Sequence, residues 1–480
     1  MNVHLDLAPS VPLIVDLDGT LIRADSLHEN LIAALFRRPH SLFATLRGAT
    51  SGRAAFKQAV AGALTLDAAG LHYREEVLAL VRDAKAAGRS VHLVTAADQS
   101  IADSVQSHLG CFDSVKGSDG RRNLKGRRKL AWLQDAFPEG FAYAGDSAAD
   151  LPIWEAAKGA ILVGPGVNHA PRLREAGVAV QTIEDEQTSP LKDWLGELRL
   201  HQWAKNVLLF VPLLLGHIAS DIGADFRTVI AFFAFGLVAS ATYVINDLAD
   251  LGADRQHPTK RFRALAAGRI PVAQGVAAAA GLLIIGFTVA LILKLAFAAA
   301  MAIYFVLTLA YSFRLKSVPL LDVAVIGALF TLRVVMGTVL NGLAVSPWLI
   351  SFSAFLFFSL SLAKRHVEIM RAQRDGLRKI PGRGYRREDW PLTLGFGVAT
   401  AMASIVIMLL FVGENNGAAT AYASPQWLYV APVCVFIWVL RIWLLSHRME
   451  LDDDPVAFAL KDYPSYALGA IILTGFALAL

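Results

Sequence analysis

Three groups of acidic residues have types and spacings suited to chemistry on phosphate. The run Asp16-Leu17-Asp18-Gly19-Thr20 sets two carboxylates two residues apart at the end of a short apolar stretch, Leu13–Val15, with a glycine that permits a sharp turn. One carboxylate can attack phosphorus and form an aspartyl-phosphate, while the other protonates the leaving oxygen and then activates water. Gly145-Asp146-Ser147-Ala148-Ala149-Asp150 follows a second apolar stretch, Phe141–Ala144, and adds two carboxylates suited to holding Mg²⁺ against the nucleophile. The third group is Asn246-Asp247-Leu248-Ala249-Asp250-Leu251-Gly252-Ala253-Asp254, whose aspartates at i, i+3 and i+7 fall on one helix face. Like charges in a partly desolvated place repel unless a cation lies between them, and Mg²⁺ carrying a diphosphate meets that need. Lys260, Arg261 and Arg263 come next, as phosphate-binding candidates or as anchors at a membrane interface.

The elements that must position these groups differ between the two parts of the chain. Leu13–Val15, Val91–Val94 and Phe141–Ala144 read as strands with polar residues at their carboxyl ends, and Glu75–Ala87 reads as a helix between two of them. Residues 1–180 are therefore expected to form a Rossmann-like α/β domain, with a helical cap inserted over about 24–74. A linker is expected over 181–195, containing the acidic turn Glu184–Glu186, and residues 196–480 are expected to form an all-α polytopic membrane domain. Nine apolar segments support it, near 207–219, 228–246, 273–291, 294–311, 319–341, 347–363, 392–413, 426–446 and 464–480. Arg255 to Arg269 follow the second segment, Arg314 and Lys316 the fourth, Lys364 to Arg387 the sixth and Arg448 the eighth. The opposite loops offer little beyond Arg227 and Lys294, so the basic side is expected to be cytoplasmic, with the N-terminal domain on it.

Composition narrows the alternatives. An apolar share of 55% is high for a wholly soluble chain of 480 residues. Met1–Pro12 lacks a basic start and a long apolar stretch, so no cleavable signal is expected. The two cysteines, Cys111 and Cys434, lie far apart and suggest neither a disulfide nor a thiolate metal site. The net charge of +5 resides mainly in loops between apolar segments, which argues against a nucleic-acid partner and for a topological role.

Over about residues 10–170 the chain resembles the haloacid-dehalogenase-like phosphatases. That resemblance implies Asp16 as nucleophile, Asp18 as acid/base and backbone metal ligand, Thr95 as phosphate ligand, and Asp146 and Asp150 at the metal. The family's lysine is best matched by Lys125, with Lys129 as runner-up. From about residue 195 onward the chain resembles the UbiA superfamily, whose nine-helix fold and Asp-rich motif match the segments and Asp247, Asp250 and Asp254. That family's second Asp-rich motif is thin here: Asp322 is present, but the position four residues on is Ile326.

One branch, the decaprenyl-phosphate phosphoribosyltransferases, is resembled in more detail. Arg199-Leu200-His201-Gln202-Trp203-Ala204-Lys205-Asn206 looks like its entrance motif with Leu200 in place of proline, and Asp254–Arg263, Lys364–Glu368 and Asp454-Pro455-Val456 also match. Ala264 replaces a second proline of the branch. The resemblance implies Mg²⁺-dependent transfer of 5-phosphoribose from phosphoribosyl diphosphate to a polyprenyl phosphate at the cytoplasmic membrane. Lys205, Asn206, Asn246, Lys260, Arg261, Arg263 and Asp322 are the expected substrate contacts, and the fused phosphatase is a candidate to remove the product's 5-phosphate. Two alternatives remain: prenyl transfer from a prenyl diphosphate to an aromatic acceptor, and a membrane scaffold with an inert phosphatase-like domain.

Overall fold

Leu13, Ile14 and Val15 are fully buried on both faces, the pattern of a central strand in a parallel sheet covered by helices on each side. In the computed structural model, which describes residues 8–41, 45, 52–64, 67–185, 189–215, 221–380, 382–414, 422–451, 455–459 and 461–480, this strand is β1. It pairs with β2 (Val91–Asp98) and β4 (Ala142–Gly145). With β3 (Ser114–Ser118), β5 (Gly159–Val163) and β6 (Val180–Ile183), all parallel, the order is β3-β2-β1-β4-β5-β6. Leu13 and Val15 join one apolar layer with Val77, Val81 and Val105, while Ile14 joins another with Leu133, Ile153 and Trp154. Alternation along the strand thus builds two cores from three residues. The order changes direction between β1 and β4, so the crevice at the carboxyl ends of those two strands is where a ligand site belongs.

The insertion after β1 is helical as expected, with α1 (Ser26–Arg37) and α2 (Arg53–Ala63). Asp25 caps α1 by accepting the N–H groups of Leu27 and His28 at 3.0 and 3.2 Å. The expected linker is structured where it is described: β6 covers Val180–Ile183 and a helix covers Pro190–Leu198. Val180-Gln181-Thr182-Ile183 is too short and too polar to announce itself, and its partner β5 is what makes it a strand.

By contacts the chain divides into two compact units, Met1–Leu198 with Val244–Ala278, and Arg199–Tyr243 with Ala279–Leu480. The Asp-rich run therefore packs with the phosphatase-like sheet domain, a grouping that chain order conceals. Among the described residues, seven helices are long and apolar enough to cross a membrane: Ile222–Ala249, Val272–Leu293, Leu295–Phe313, Leu321–Leu340, Pro347–Arg374, Arg387–Glu414 and Pro425–His447. The first and last of the nine expected segments correspond to shorter apolar helices, Leu200–Leu215 and Tyr463–Ala479. Asp454 lies outside the described residues.

Candidate functional site

At the end of β1 the backbone turns through Gly19, whose φ of +74° suits only glycine and where a Cβ would lie 2.1 Å from Asp146 Oδ2. That turn brings the β1 and β4 carboxylates together. Oxygens of Asp16, Asp146 and Asp150 lie within 4.8 Å of one another, the one such acidic group among the described residues. Asp16 Oδ1 accepts Leu17 N at 2.8 Å, and Asp18 Oδ1 accepts Ser26 N, the first residue of α1, at 2.8 Å. Asp150 Oδ2 accepts the Ser147 N–H and hydroxyl at 3.2 and 3.1 Å. The buried Thr95 lines the same cavity from β2, its hydroxyl oxygen accepting Ala97 N at 3.0 Å.

Of the two lysines the sequence offered, Lys129 is the one that reaches Asp16. Lys129, in the first turn of helix Arg127–Ala136, reaches Asp16 Oδ2 at 2.7 Å and donates to Tyr143 Oη at 2.9 Å, with only 2% of its side chain exposed. The Tyr143 hydroxyl in turn donates to Asp150 Oδ1 at 3.0 Å. Lys125 precedes the helix, lines the cavity, and makes no ion pair among the described residues. Tyr143 escaped sequence reasoning, although its place two residues before Gly145 put it on the strand that carries the metal-side aspartates.

These carboxylates fit a divalent cation. Burial, with Asp25 adding to it, raises the Asp18 pKa to about 7, and burial with the charges of Asp16 and Asp150 raises that of Asp146 to about 7, both from 3.8. Burial also raises Asp150, against the pull of Lys129. Folded-state values above the unfolded ones mean that the metal-free fold loses stability as pH rises from about 4 to 7 and carries the full penalty above that range. A cation held by these carboxylates offsets that penalty. Thermal unfolding of the detergent-solubilised chain should therefore show a larger Mg²⁺-induced rise in midpoint at pH 8 than at pH 5; a rise independent of pH would contradict the assignment.

The cavity over this centre measures about 450 Å³ and is lined also by Lys57 of α2 and by Gly268, Arg269 and Pro271, which follow the Asp-rich run. Arg269 is held by Asp193 Oδ1 at 2.8 Å and the Phe262 carbonyl at 2.9 Å. A second tie within this unit joins the cap to the Asp-rich run. Buried Arg255 donates to Glu29 Oε2 at 2.7 Å and also to Glu29 Oε1, to the Gly70 carbonyl at 3.2 Å and to the Ala266 carbonyl at 3.0 Å. Removing one partner of so buried a pair typically costs about 3–5 kcal/mol, which marks the contact as built rather than incidental.

The three aspartates of the Asp-rich run do not share one unbroken helix, because Ile222–Ala249 ends before Asp250 and a short helix, Leu251–Gln256, begins after it. Arg263 Nη1 bridges Asp247 Oδ1 at 2.8 Å and Asp254 Oδ2 at 2.7 Å, and Lys260 Nζ lies 3.3 Å from Asp254 Oδ1. Asn246 Nδ2 donates to Asp250 Oδ2 at 3.3 Å, and the Arg261 guanidinium stacks on Phe262. Hard carboxylate oxygens backed by cations fit a divalent ion carrying a diphosphate, although Arg263 here takes the place expected for the cation.

Within the second unit, Asn206 Oδ1 accepts Arg333 Nε at 3.4 Å, and Lys205 Nζ lies 5.5 Å from the Phe330 ring centre. Arg333 sits inside the span Leu321–Leu340 with 5% exposure, over the rings of Phe235, Tyr304 and Phe330, and forms no ion pair with a carboxylate among the described residues. A guanidinium inside a membrane span marks a functional site by default, and nothing in the sequence pattern singled it out. Asp322 is fully buried, 2.9 Å from Arg365 Nη2, and accepts the Tyr385 hydroxyl at 2.7 Å, so its carboxylate is paired within the protein itself. Ile326 packs in the apolar cluster beside it.

The profile of the UbiA prenyltransferase family matches residues 209–462, and that of the haloacid dehalogenase-like hydrolases matches 13–155. The uncharacterized protein y4nM of Sinorhizobium fredii is 61% identical over 98% of this chain and 91% of its own length. The nodulation protein NoeC of Azorhizobium caulinodans is 32% identical over 59% of this chain and 94% of its own. The decaprenyl-phosphate phosphoribosyltransferase of Corynebacterium glutamicum is 36% identical over 51% of this chain and 74% of its own. With seven apolar spans and the Asp-rich run in the matched region, the chain belongs to the UbiA prenyltransferase family of integral membrane enzymes and bears an N-terminal haloacid dehalogenase-like hydrolase domain.

Proposed function

We propose that the membrane domain transfers 5-phosphoribose from phosphoribosyl diphosphate to a polyprenyl phosphate, and that the fused domain hydrolyses the 5-phosphate of the product. The donor assignment is carried by the missing second acidic motif: Asp322 is tied to Arg365, and Ile326 packs in an apolar cluster where a two-motif prenyltransferase needs an acid. Similarity to a relative named as a decaprenyl-phosphate phosphoribosyltransferase supports it. In the transfer, an oxygen of the lipid phosphate attacks the anomeric carbon as the carbon–oxygen bond to diphosphate breaks, and diphosphate leaves with the electron pair. Asp247, Asp250 and Asp254, with Asn246, are the residues to hold Mg²⁺, and Lys260, Arg261 and Arg263 are those to hold phosphate oxygens. Lys205, Asn206 and Arg333 are the candidates for the lipid phosphate.

In the phosphatase half, Asp16 attacks the phosphomonoester and Asp18 gives its proton to the departing sugar oxygen. Asp18 then takes a proton from water, which opens the aspartyl-phosphate and releases inorganic phosphate. Lys129, 2.7 Å from Asp16 Oδ2, orients the nucleophile, and Thr95, which lines the same cavity, is the candidate for a phosphate oxygen. Asp16, Asp146, Asp150 and the Asp18 carbonyl would hold Mg²⁺ in this half, where it would supply positive charge to the phosphate oxygens. The pairing of the two activities is supported by the cavity wall, since Arg269 and Pro271 of the segment following the Asp-rich run line the phosphatase cavity. Both active sites are assigned to the cytosolic face of the cytoplasmic membrane, where the basic loops lie.

The deciding experiment incubates the purified chain with Mg²⁺, a polyprenyl phosphate and phosphoribosyl diphosphate labelled in the ribose. Label should enter the organic phase. If none does, and label from a prenyl diphosphate enters an aromatic acid instead, the aromatic prenyltransferase reading replaces this one.

A further inference from the structure

Beyond the catalytic pair, the phosphatase cavity is lined by several cations. Lys129 is neutralised by Asp16, and Arg74 by Asp185. Lys57 is different: its ammonium donates to the Ala96 carbonyl at 2.7 Å, beside Thr95, and has no carboxylate within ion-pair distance among the described residues. Lys125, on the same cavity wall, has none either. Burial lowers the Lys57 pKa, and the like charge of Lys125 lowers it further against the pull of Asp18 and Asp25, so the two ammonium groups sense one another. Two neighbouring cations on a cavity wall, each still with N–H groups to donate, are an arrangement that an anion completes. They come from separate places, Lys57 from the cap helix α2 and Lys125 from the loop before helix Arg127–Ala136, and both line the one cavity. The volume of about 450 Å³ belongs to the range of pockets for extended organic ligands, more than a lone phosphate group needs.

We infer that the phosphatase cavity selects substrates with two anionic groups: a phosphomonoester that reacts at Asp16 and, further along the same molecule, a phosphodiester held by Lys57 and Lys125. This rests on the proposed phosphatase activity and deepens it by naming the residues that recognise the substrate's second anionic group. A sugar that carries a phosphomonoester at one end and a lipid phosphodiester at the other has this pattern. Lys57 is then a specificity residue, separate from the bond-breaking machinery.

The test compares two substrates on the full-length chain: ribose 5-phosphate, which has one anionic group, and the farnesyl phosphodiester of the same sugar phosphate, which has two. Lys57→Gln should raise KM for the farnesyl phosphodiester by roughly tenfold or more relative to any change for ribose 5-phosphate, the loss of one charge-assisted contact. Lys57→Arg should restore most of it, which a general folding defect would not allow. Equal losses on both substrates would overturn the inference, because Lys57 would then serve the scissile phosphate. So would the absence of loss on either. Failure of the phosphatase reading looks different: the unmodified chain would hydrolyse neither substrate, or Asp16→Asn would leave hydrolysis intact.

Discussion

Asp16→Asn should reduce phosphate release from the phosphoribosyl lipid by about 10⁴-fold or more while label still enters the lipid from phosphoribosyl diphosphate. The amide is nearly the same size and can keep a contact to Lys129, so the sheet should survive, but it is a poor nucleophile and a weaker metal ligand. The substitution leaves Lys129 facing a neutral group in a buried place, where the lost 2.7 Å ion pair has a cost in stability. Release of inorganic phosphate and transfer of label, measured on one preparation, separate the two activities. If both fell together, the sites would not be independent; if phosphate release persisted, Asp16 would not be the nucleophile.

Asp250→Asn should lower transfer by about 10²–10³-fold and leave hydrolysis of an added phosphomonoester largely in place. Asp250 is the informative choice of the three aspartates. Asp247 and Asp254 are 2% exposed and share Arg263, so replacing either would break an ion pair of a buried carboxylate and confuse folding with chemistry. Asp250 lies at the break between two helices, is less buried, and has an amide neighbour in Asn246. A fall in kcat at raised Mg²⁺ identifies a role in the transition state, whereas recovery at high Mg²⁺ identifies a role in metal affinity. Unchanged transfer at ordinary Mg²⁺ would remove the Asp-rich run from the mechanism.

How much was legible in the chain follows from how local each signal is. Asp16 and Asp18 were legible because the turn that joins them is five residues long and needs only Gly19 to close. Asp146 and Asp150 were legible for the same reason, since one short turn after β4 presents both. The membrane spans were legible because a bilayer imposes a length and a polarity on each helix by itself. The choice between Lys125 and Lys129 was not: the two are one helical turn apart, and only the start of the helix at Arg127 decides which reaches Asp16.

The sequence by itself determined the two families, the carboxylates proposed for their chemistry and the division between a sheet domain and a bundle of apolar helices. Tertiary structure alone decided that Val244–Ala278 packs with the sheet domain, that Arg255 ties the Asp-rich run to Glu29, that Asp322 pairs with Arg365, and that Lys57 and Lys125 line one cavity. The physical reason is range: turns, capping and apolar periodicity act within a few residues, whereas an ion pair depends on where distant segments come to lie. Its strength in a desolvated place depends on the burial that the finished fold creates.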